Sequence, residues 1–334
     1  MCPTLARRAS AESSLPAPRW RVAQRGPREE LWNSSFAPGA CLPRRSASLT
    51  LRVGTVTLSG QRMMKHLILK SAVWVCLAAL WIAFGSVAQA GDPAQPIVPR
   101  EPIRLFNGRD FSGLVTWLKD SGRDDPKTVF SVEDGVLHIS GDGAGYIATE
   151  RSYKNYRVHV EYKWGRKADG SGFVRNSGVL LHKVGADRIW PTCIEVQLAQ
   201  GCEGDFIVIP GVGADGKPGA ATMTCETRLE SDRRTRWQAG GTKTKYSGKQ
   251  FWWSQHEPGF KELLDTRGKD DVASPVGMWT QVECLCRDNR ITVKINGVTV
   301  NEGFDVSPAA GQILLQNEGN EIYFRNFELH PLDP

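Results

Sequence analysis

Apolar and polar residues alternate at period two in short runs through the chain from Ile103 onward, and Gly, Asp and Asn punctuate them. The clearest run is YRVHVEYKW, where Tyr156, Val158, Val160, Tyr162 and Trp164 alternate with Arg157, His159, Glu161 and Lys163. Such spacing predicts a strand with one face in a core and one in water. TVFSV and GVLHI flank Glu133-Asp134-Gly135, a hairpin signal, and GYIAT follows. Further on, TQVECLC, Asp288-Asn289, RITVKI, Asn296-Gly297 and VTV predict a three-stranded meander, and GQILLQ and EIYFRNFEL add two more strands. No long helical period interrupts them. About a dozen short strands predict an all-β fold, a two-sheet antiparallel jelly-roll sandwich. The stretch 228–275 breaks the rhythm: it is charged, Gly-bearing and carries Trp237, Phe251, Trp252 and Trp253, and reads as a long insertion over one end of the sandwich.

Two apolar strands, NSGVLLH and PTCIEVQL, set polar groups on one face. Glu195 and Gln197 fall opposite Ile194, Val196 and Leu198, and Asn176, Leu180 and His182 share one side of the first strand. A face carrying Asn, His, Glu and Gln between aliphatic runs suits the floor of a sugar-sized cleft. An ordinary solvated sheet face satisfies the same spacing.

The first ninety residues have another character. Residues 1–62 hold ten Arg and three Glu with no sustained period, and are expected to be an upstream start-site artefact or a disordered extension. Met63-Met64-Lys65-His66, an apolar run from Ala72 to Phe84 and Val87-Ala88-Gln89-Ala90 form the order of a signal peptide over 63–90, with a linker at 91–102 and the main domain at 103–332. The apolar run is short for a membrane span, so no stable insertion is expected after cleavage, and a periplasmic or secreted protein follows. The formal charge of +6 belongs to the leader: from Gly91 there are 30 basic and 33 acidic residues, which removes any argument for nucleic-acid binding.

Five cysteines follow Gly91: Cys193, Cys202, Cys225, Cys284 and Cys286. Export permits disulfides, and Cys202 and Cys225 could pair, whereas Cys284 and Cys286 point to one face of one strand and are badly placed to bridge each other. The absence of a CxxC pair or a His-x-His array argues against a zinc cluster. Asp205, in GDFIVIP, could help hold a divalent ion, and Trp252-Trp253 could stack on a sugar or pack the insertion down.

The ordered motifs LFNGRDFSGL (105–114), VEDGVLHI (132–139), NSGVLLH (176–182), IEVQL (194–198), the group from Trp279 to Asn296-Gly297, GQILLQNEG (311–319) and IYFRNFEL (322–329) resemble the 3-keto-disaccharide hydrolase domain family over nearly all of 103–332. That resemblance implies a concanavalin A-like lectin/glucanase fold and action on a glycoside already oxidised to a ketone at sugar C3, with an upstream sugar dehydrogenase as possible partner. The ketone acidifies the C2 proton, so cleavage needs a base, an oxyanion stabiliser and a leaving-group acid. Glu195 or His182 could be the base, and Glu318 a second carboxylate or a metal ligand. Asn176, Gln197, Gln316 and Arg325 could hold sugar hydroxyls or the oxyanion. Many relatives carry a His near Glu318, where this chain has Asn317-Glu318-Gly319. Any bound cation would be oxygen-ligated calcium, magnesium or manganese. A retaining laminarinase-type hydrolase needs an E-x-D-x-x-E strand, and Glu195-Val196-Gln197-Leu198-Ala199-Gln200 supplies one acid only. A lectin-like, non-catalytic carbohydrate-binding protein would use the same residue types.

Overall fold

The computed structural model describes residues 95–212, 217 and 219–332, all within one compact unit, Phe84–Pro334. The expected extension at 1–62 and signal peptide at 63–90 lie outside the described residues, as do the first four positions of the linker. Among the described residues no helix is long and apolar enough to cross a membrane.

In chain order the strands are β1 (Ile103–Arg104), β2 (Leu114–Leu118), β3 (Phe130–Glu133), β4 (Val136–Ile139), β5 (Ala144–Thr149), β6 (Tyr156–Trp164), β7 (Gly178–Val184), β8 (Thr192–Gln197) and β9 (Phe206–Ile209). They continue with β10 (Thr222–Leu229), β11 (Thr235–Trp237), β12 (Thr242–Tyr246), β13 (Gln250–Phe251), β14 (Thr280–Arg287), β15 (Arg290–Ile295), β16 (Val298–Ser307), β17 (Gln312–Glu318) and β18 (Ile322–Pro331). They build two antiparallel sheets. One has the order β11-β10-β16-β15-β14-β6-β18-β4-β3, with β1 on β18 and β12 on β10; the other runs β13-β9-β8-β7-β17-β5-β2. The two-sheet sandwich expected from the alternation is the architecture observed.

Period-two apolar residues of both sheets meet between them. Val158, Val160, Val282, Cys284, Cys286, Val293 and Phe324 of the larger sheet share one core with Ile147, Val179, Leu181, Ile194, Val196, Phe206 and Leu315 of the smaller. The Asp134-Gly135 and Asn296-Gly297 turns take positive φ at both residues, as a two-residue hairpin loop requires. The meander is β14-β15-β16, paired in sequence order.

Within the stretch 228–275, β11 and β12 pair at the edge of the larger sheet and β13 at the edge of the smaller, so several of its aromatic residues lie on strands or pack against them. Trp253 is 2 % exposed within the core, and Trp252 lies under the Arg234 guanidinium at 4.0 Å. One expectation changes: Cys202 and Cys225 form no disulfide with each other, and all five of these cysteines are buried. Cys225 faces the core from β10, while the Cys202 thiol lies 3.5 Å from His256 Nε2.

Candidate active site on the seven-stranded sheet

The face of the smaller sheet turned away from the core carries the polar group. Antiparallel register sets Gly178 of β7 opposite Gln197 of β8, and Leu180 opposite Glu195. On the other side of β7, Leu314 of β17 lies opposite Leu180, so Gln316 falls two residues along on the same face. Gly178 itself makes the convergence possible. A Cβ there would stand 2.7 Å from Glu195 Oε1 and 3.0 Å from Gln316 Oε1, so both side chains occupy the space that glycine leaves open. Gln316 Nε2 donates to Glu318 Oε1 at 3.0 Å, and Asn176 Nδ2 donates to Glu318 Oε2. Five of the expected site residues, Asn176, Glu195, Gln197, Gln316 and Glu318, therefore occupy one face.

This floor is dry: Glu195 is 2 % exposed, and Gln197 and Gln316 are each 1 % exposed. Gln316 Oε1 is buried without a hydrogen-bond partner. A buried acceptor left without a partner calls for a donor, such as a ligand hydroxyl. Glu318 accepts from two amide donors, one on each carboxylate oxygen, which holds the Gln316 and Asn176 side chains in place.

His182 and Arg325 lie elsewhere. His182 has φ of 59°, and the register of β7 slips by one residue between Leu181 and Val184, so a bulge breaks the alternation there. The extra residue turns inward: His182 meets the buried Tyr156 ring edge-on at 5.8 Å and donates from Nδ1 to the Pro308 carbonyl at 3.0 Å. Burial lowers its pKa to about 4. Gly311 permits the bulge, since a Cβ there would meet the His182 carbonyl carbon at 2.4 Å and the Lys183 oxygen at 2.5 Å. Arg325 stands on the outer face of the other sheet, paired through Nε with Glu161 at 2.7 Å and stacked on Trp279 at 4.1 Å. An expected base and an expected sugar ligand are thus separated from the cluster, one by a bulge and one by sheet assignment.

The bulge brings out a residue that alternation had turned inward. Lys183, next along the chain, takes the outer face and is buried, with Nζ 2.6 Å from Asp187 Oδ1 and 3.0 Å from Gln312 Oε1. Tyr146 of β5, paired with Gln316, donates its hydroxyl to the same Asp187 oxygen at 3.0 Å. Its ring stacks with Trp117 of β2 at 5.3 Å. Burial pushes the Tyr146 phenol upward, with Asp187 adding to the shift. Burial works to raise the Asp187 carboxyl, but the hydrogen bond and charge of Lys183 outweigh it and hold Asp187 below the usual range. Burial also raises the Cys193 thiol on this face; Glu195 raises it further and Lys183 opposes, so the thiol lies within the fields of both. Period-two reading of β2 and β5 could have placed Trp117 and Tyr146; nothing local in the sequence marks Lys183 or Asp187.

Two sets of potential metal donors are present among the described residues. Asp205 is committed to structure: Oδ1 accepts from Trp253 N and Oδ2 from Gln250 Nε2, both at 2.7 Å. Cys202, His256 and Glu262 bring ligand atoms within 4.8 Å of one another. However, Arg236 Nη2 donates to His256 Nδ1 at 3.2 Å, which leaves the proton on Nε2, the atom that faces the thiol. A metal-bound imidazole needs the opposite tautomer and an acceptor behind it. Arg234 holds Glu262 at 3.2 Å, so these three do not fit an ion.

Residues 101–330 match the 3-keto-alpha-glucoside-1,2-lyase-like domain. The chain belongs to this family. The 3-keto-alpha-glucoside-1,2-lyase-like family carries with it a carbohydrate substrate class. Solved structures similar to this lyase-like chain include a candidate glycosyl hydrolase from Parabacteroides distasonis ATCC 8503, at 23% identity, TM-score 0.42, over 70% of this chain and 94% of that one. Also similar are a Bacillus licheniformis β-glucanase, at 10% identity, TM-score 0.38, over 69% and 97%, and the carbohydrate-binding module CBM66 from Bacillus subtilis, at 10% identity, TM-score 0.38, over 65% and 94%. No curated protein matches the chain.

Proposed function

We propose that the protein cleaves glycosides oxidised to a ketone at C3, and that the polar group on the seven-stranded sheet is its active site. Glu195 takes the C2 proton, acidified by the adjacent carbonyl; the C–H electrons form a C2=C3 double bond and the C3 oxygen becomes an enolate. The Lys183 ammonium and the Tyr146 hydroxyl, both oriented by Asp187, are the groups that receive this charge. Collapse of the enolate restores the C3 carbonyl, forms C1=C2 and breaks the C1–O bond, and the departing oxygen takes the proton back from Glu195. Water then adds at C1 while C2 regains a proton, which completes a net hydrolysis. Gln316, Asn176 and Gln197 hold sugar hydroxyls, and Trp117 with Tyr146 offers the ring a flat apolar shelf.

The observation that carries this reading is the orphaned Gln316 Oε1 held beside the Glu195 carboxylate above Gly178, on the face that also carries a buried Lys183. The signal peptide read at 63–90 assigns the reaction to the periplasm or the exterior, where a sugar dehydrogenase would supply the ketone.

A release assay on purified protein tests it, using p-nitrophenyl α-glucoside and its 3-keto derivative with Glu195→Gln and Arg325→Ala. Release is expected from the keto form alone, lost in Glu195→Gln and retained in Arg325→Ala. Sugar binding without release from either compound would sink the enzymatic reading and leave a carbohydrate-binding protein, which the Trp117–Tyr146 shelf would equally suit.

A further inference from the structure

Gln316 is held at every polar atom of its side chain but one. Its backbone lies in β17 between β5 and β7, opposite Tyr146, and its carbonyl accepts the Ser177 hydroxyl at 2.8 Å. In the side chain, Nε2 donates to Glu318 Oε1 at 3.0 Å, and the other Glu318 oxygen accepts from Asn176 Nδ2. That donation decides which end of the amide is which, because the reversed amide would set its oxygen against a carboxylate oxygen. Oε1 is left as a buried acceptor in a fixed place without a partner, on a residue 1 % exposed. An acceptor held in this way favours a ligand that donates to it. A ligand without the donor leaves it both stripped of water and unpaired.

The position of Oε1 relative to Glu195 decides which donor it takes. One point, the place that a Cβ on Gly178 would occupy, lies 2.7 Å from Glu195 Oε1 and 3.0 Å from Gln316 Oε1. The two oxygens therefore border the same small space beside Gly178. A C–H that meets one of them and a hydroxyl that meets the other must come from the same carbon or from neighbours. When the C–H is the one at C2, C3 is a ketone and carries no hydroxyl, and the oxygen on C1 is bonded to the leaving group. The hydroxyl that remains is the one on C2 itself.

We propose, on the reading of Glu195 as the base, that Gln316 determines specificity at C2: its Oε1 accepts the 2-hydroxyl and so turns the C2 hydrogen toward Glu195. The substrate class is then a 3-keto glycoside with a free 2-hydroxyl in a single configuration. A 2-deoxy sugar leaves Oε1 unpaired in a dry floor. The C2 epimer exchanges the two substituents and presents its hydroxyl to the base in place of its hydrogen. Holding the hydroxyl proton on Gln316 also keeps it off the adjacent C3 oxygen, which stays open to Lys183 and Tyr146 as charge develops there.

The test measures kcat/KM for p-nitrophenyl 3-keto-α-glucoside, its 2-deoxy analogue and its C2 epimer, the 3-keto-α-mannoside, in wild type and Gln316→Leu. Wild type is expected to favour the glucoside over either by at least about 100-fold. Gln316→Leu is expected to narrow the ratio of glucoside to 2-deoxy analogue by at least about tenfold, a change from which the intrinsic reactivities cancel. If Gln316→Leu fails to fold, calorimetry on the wild type reads the same contact with 3-keto-1,5-anhydroglucitol and its 2-deoxy counterpart, neither of which has a leaving group at C1. The 2-deoxy compound is expected to bind at least about tenfold more weakly. A mannoside cleaved as fast as the glucoside, a ratio unchanged in folded Gln316→Leu, or equal binding of the two anhydro ketones would overturn the proposal and leave Glu195 as the base. No release from any of the three glycosides in wild type would instead overturn the assignment of Glu195, and the proposal with it.

Discussion

Replacing Gly178 by alanine is the most direct probe of the proposed active site. Its φ lies outside the left-handed region, so alanine adds volume without backbone strain. The added Cβ would stand 2.7 Å from Glu195 Oε1 and 3.0 Å from Glu195 Cγ and Gln316 Oε1. Non-bonded atoms rest at about 3.5 Å, so the Glu195 carboxylate must retreat by about 0.8 Å. The atoms displaced are ends of side chains, which limits the overpacking penalty to about 1 kcal/mol, or a fall of about 2–4 °C in melting temperature for a domain of this size. A base misplaced by nearly 1 Å, in contrast, lowers turnover by about 100-fold. The assay is release from a 3-keto glucoside under saturating substrate, paired with a thermal melt. A variant that melts within that range but turns over within about threefold of wild type would refute Glu195 as the base. A variant that loses both would be a folding defect and would send the test to Glu195→Gln.

Two other perturbations separate structural from chemical roles. Lys183→Met removes the cation from a buried pair whose partner is partly exposed, so stability falls by about 2 kcal/mol, less than for a fully buried pair, while turnover falls by about 100- to 1,000-fold through loss of the enolate partner; wild-type turnover in a folded Lys183→Met protein would remove Lys183 from the mechanism. His182 has a folded pKa of about 4, below its usual 6.5, so the unfolded chain binds the proton first as pH falls. Its contribution is complete above pH 6.5 and is lost between 6.5 and about 4, amounting to about 3 kcal/mol. His182→Asn, which tolerates the left-handed backbone, should flatten that part of the urea-midpoint profile between pH 7 and 4.5, and an unchanged profile would place the acid sensitivity elsewhere.

Much of this protein was legible as pattern. The nine-residue alternation from Tyr156 to Trp164 and the turns at Asp134-Gly135 and Asn296-Gly297 fixed strands, faces and hairpin partners, because a side-chain period of two and a demand for positive φ are local properties. The shared face of Glu195 and Gln197 followed from the same parity. What the sequence could not supply was the pairing of strands far apart in the chain and the place where parity fails. Asn176, Gln316 and Glu318 meet the pair because β17 lies against β7, a contact between residues 142 positions apart in the case of Asn176 and Glu318. The bulge at His182 exchanged the expected imidazole for Lys183, since one extra residue reverses every side chain beyond it and only packing against Gly311 and Tyr156 shows that it is there. Arg325 fell to the other sheet because strand order, set by burial across the whole sandwich, decides which outer face a residue reaches.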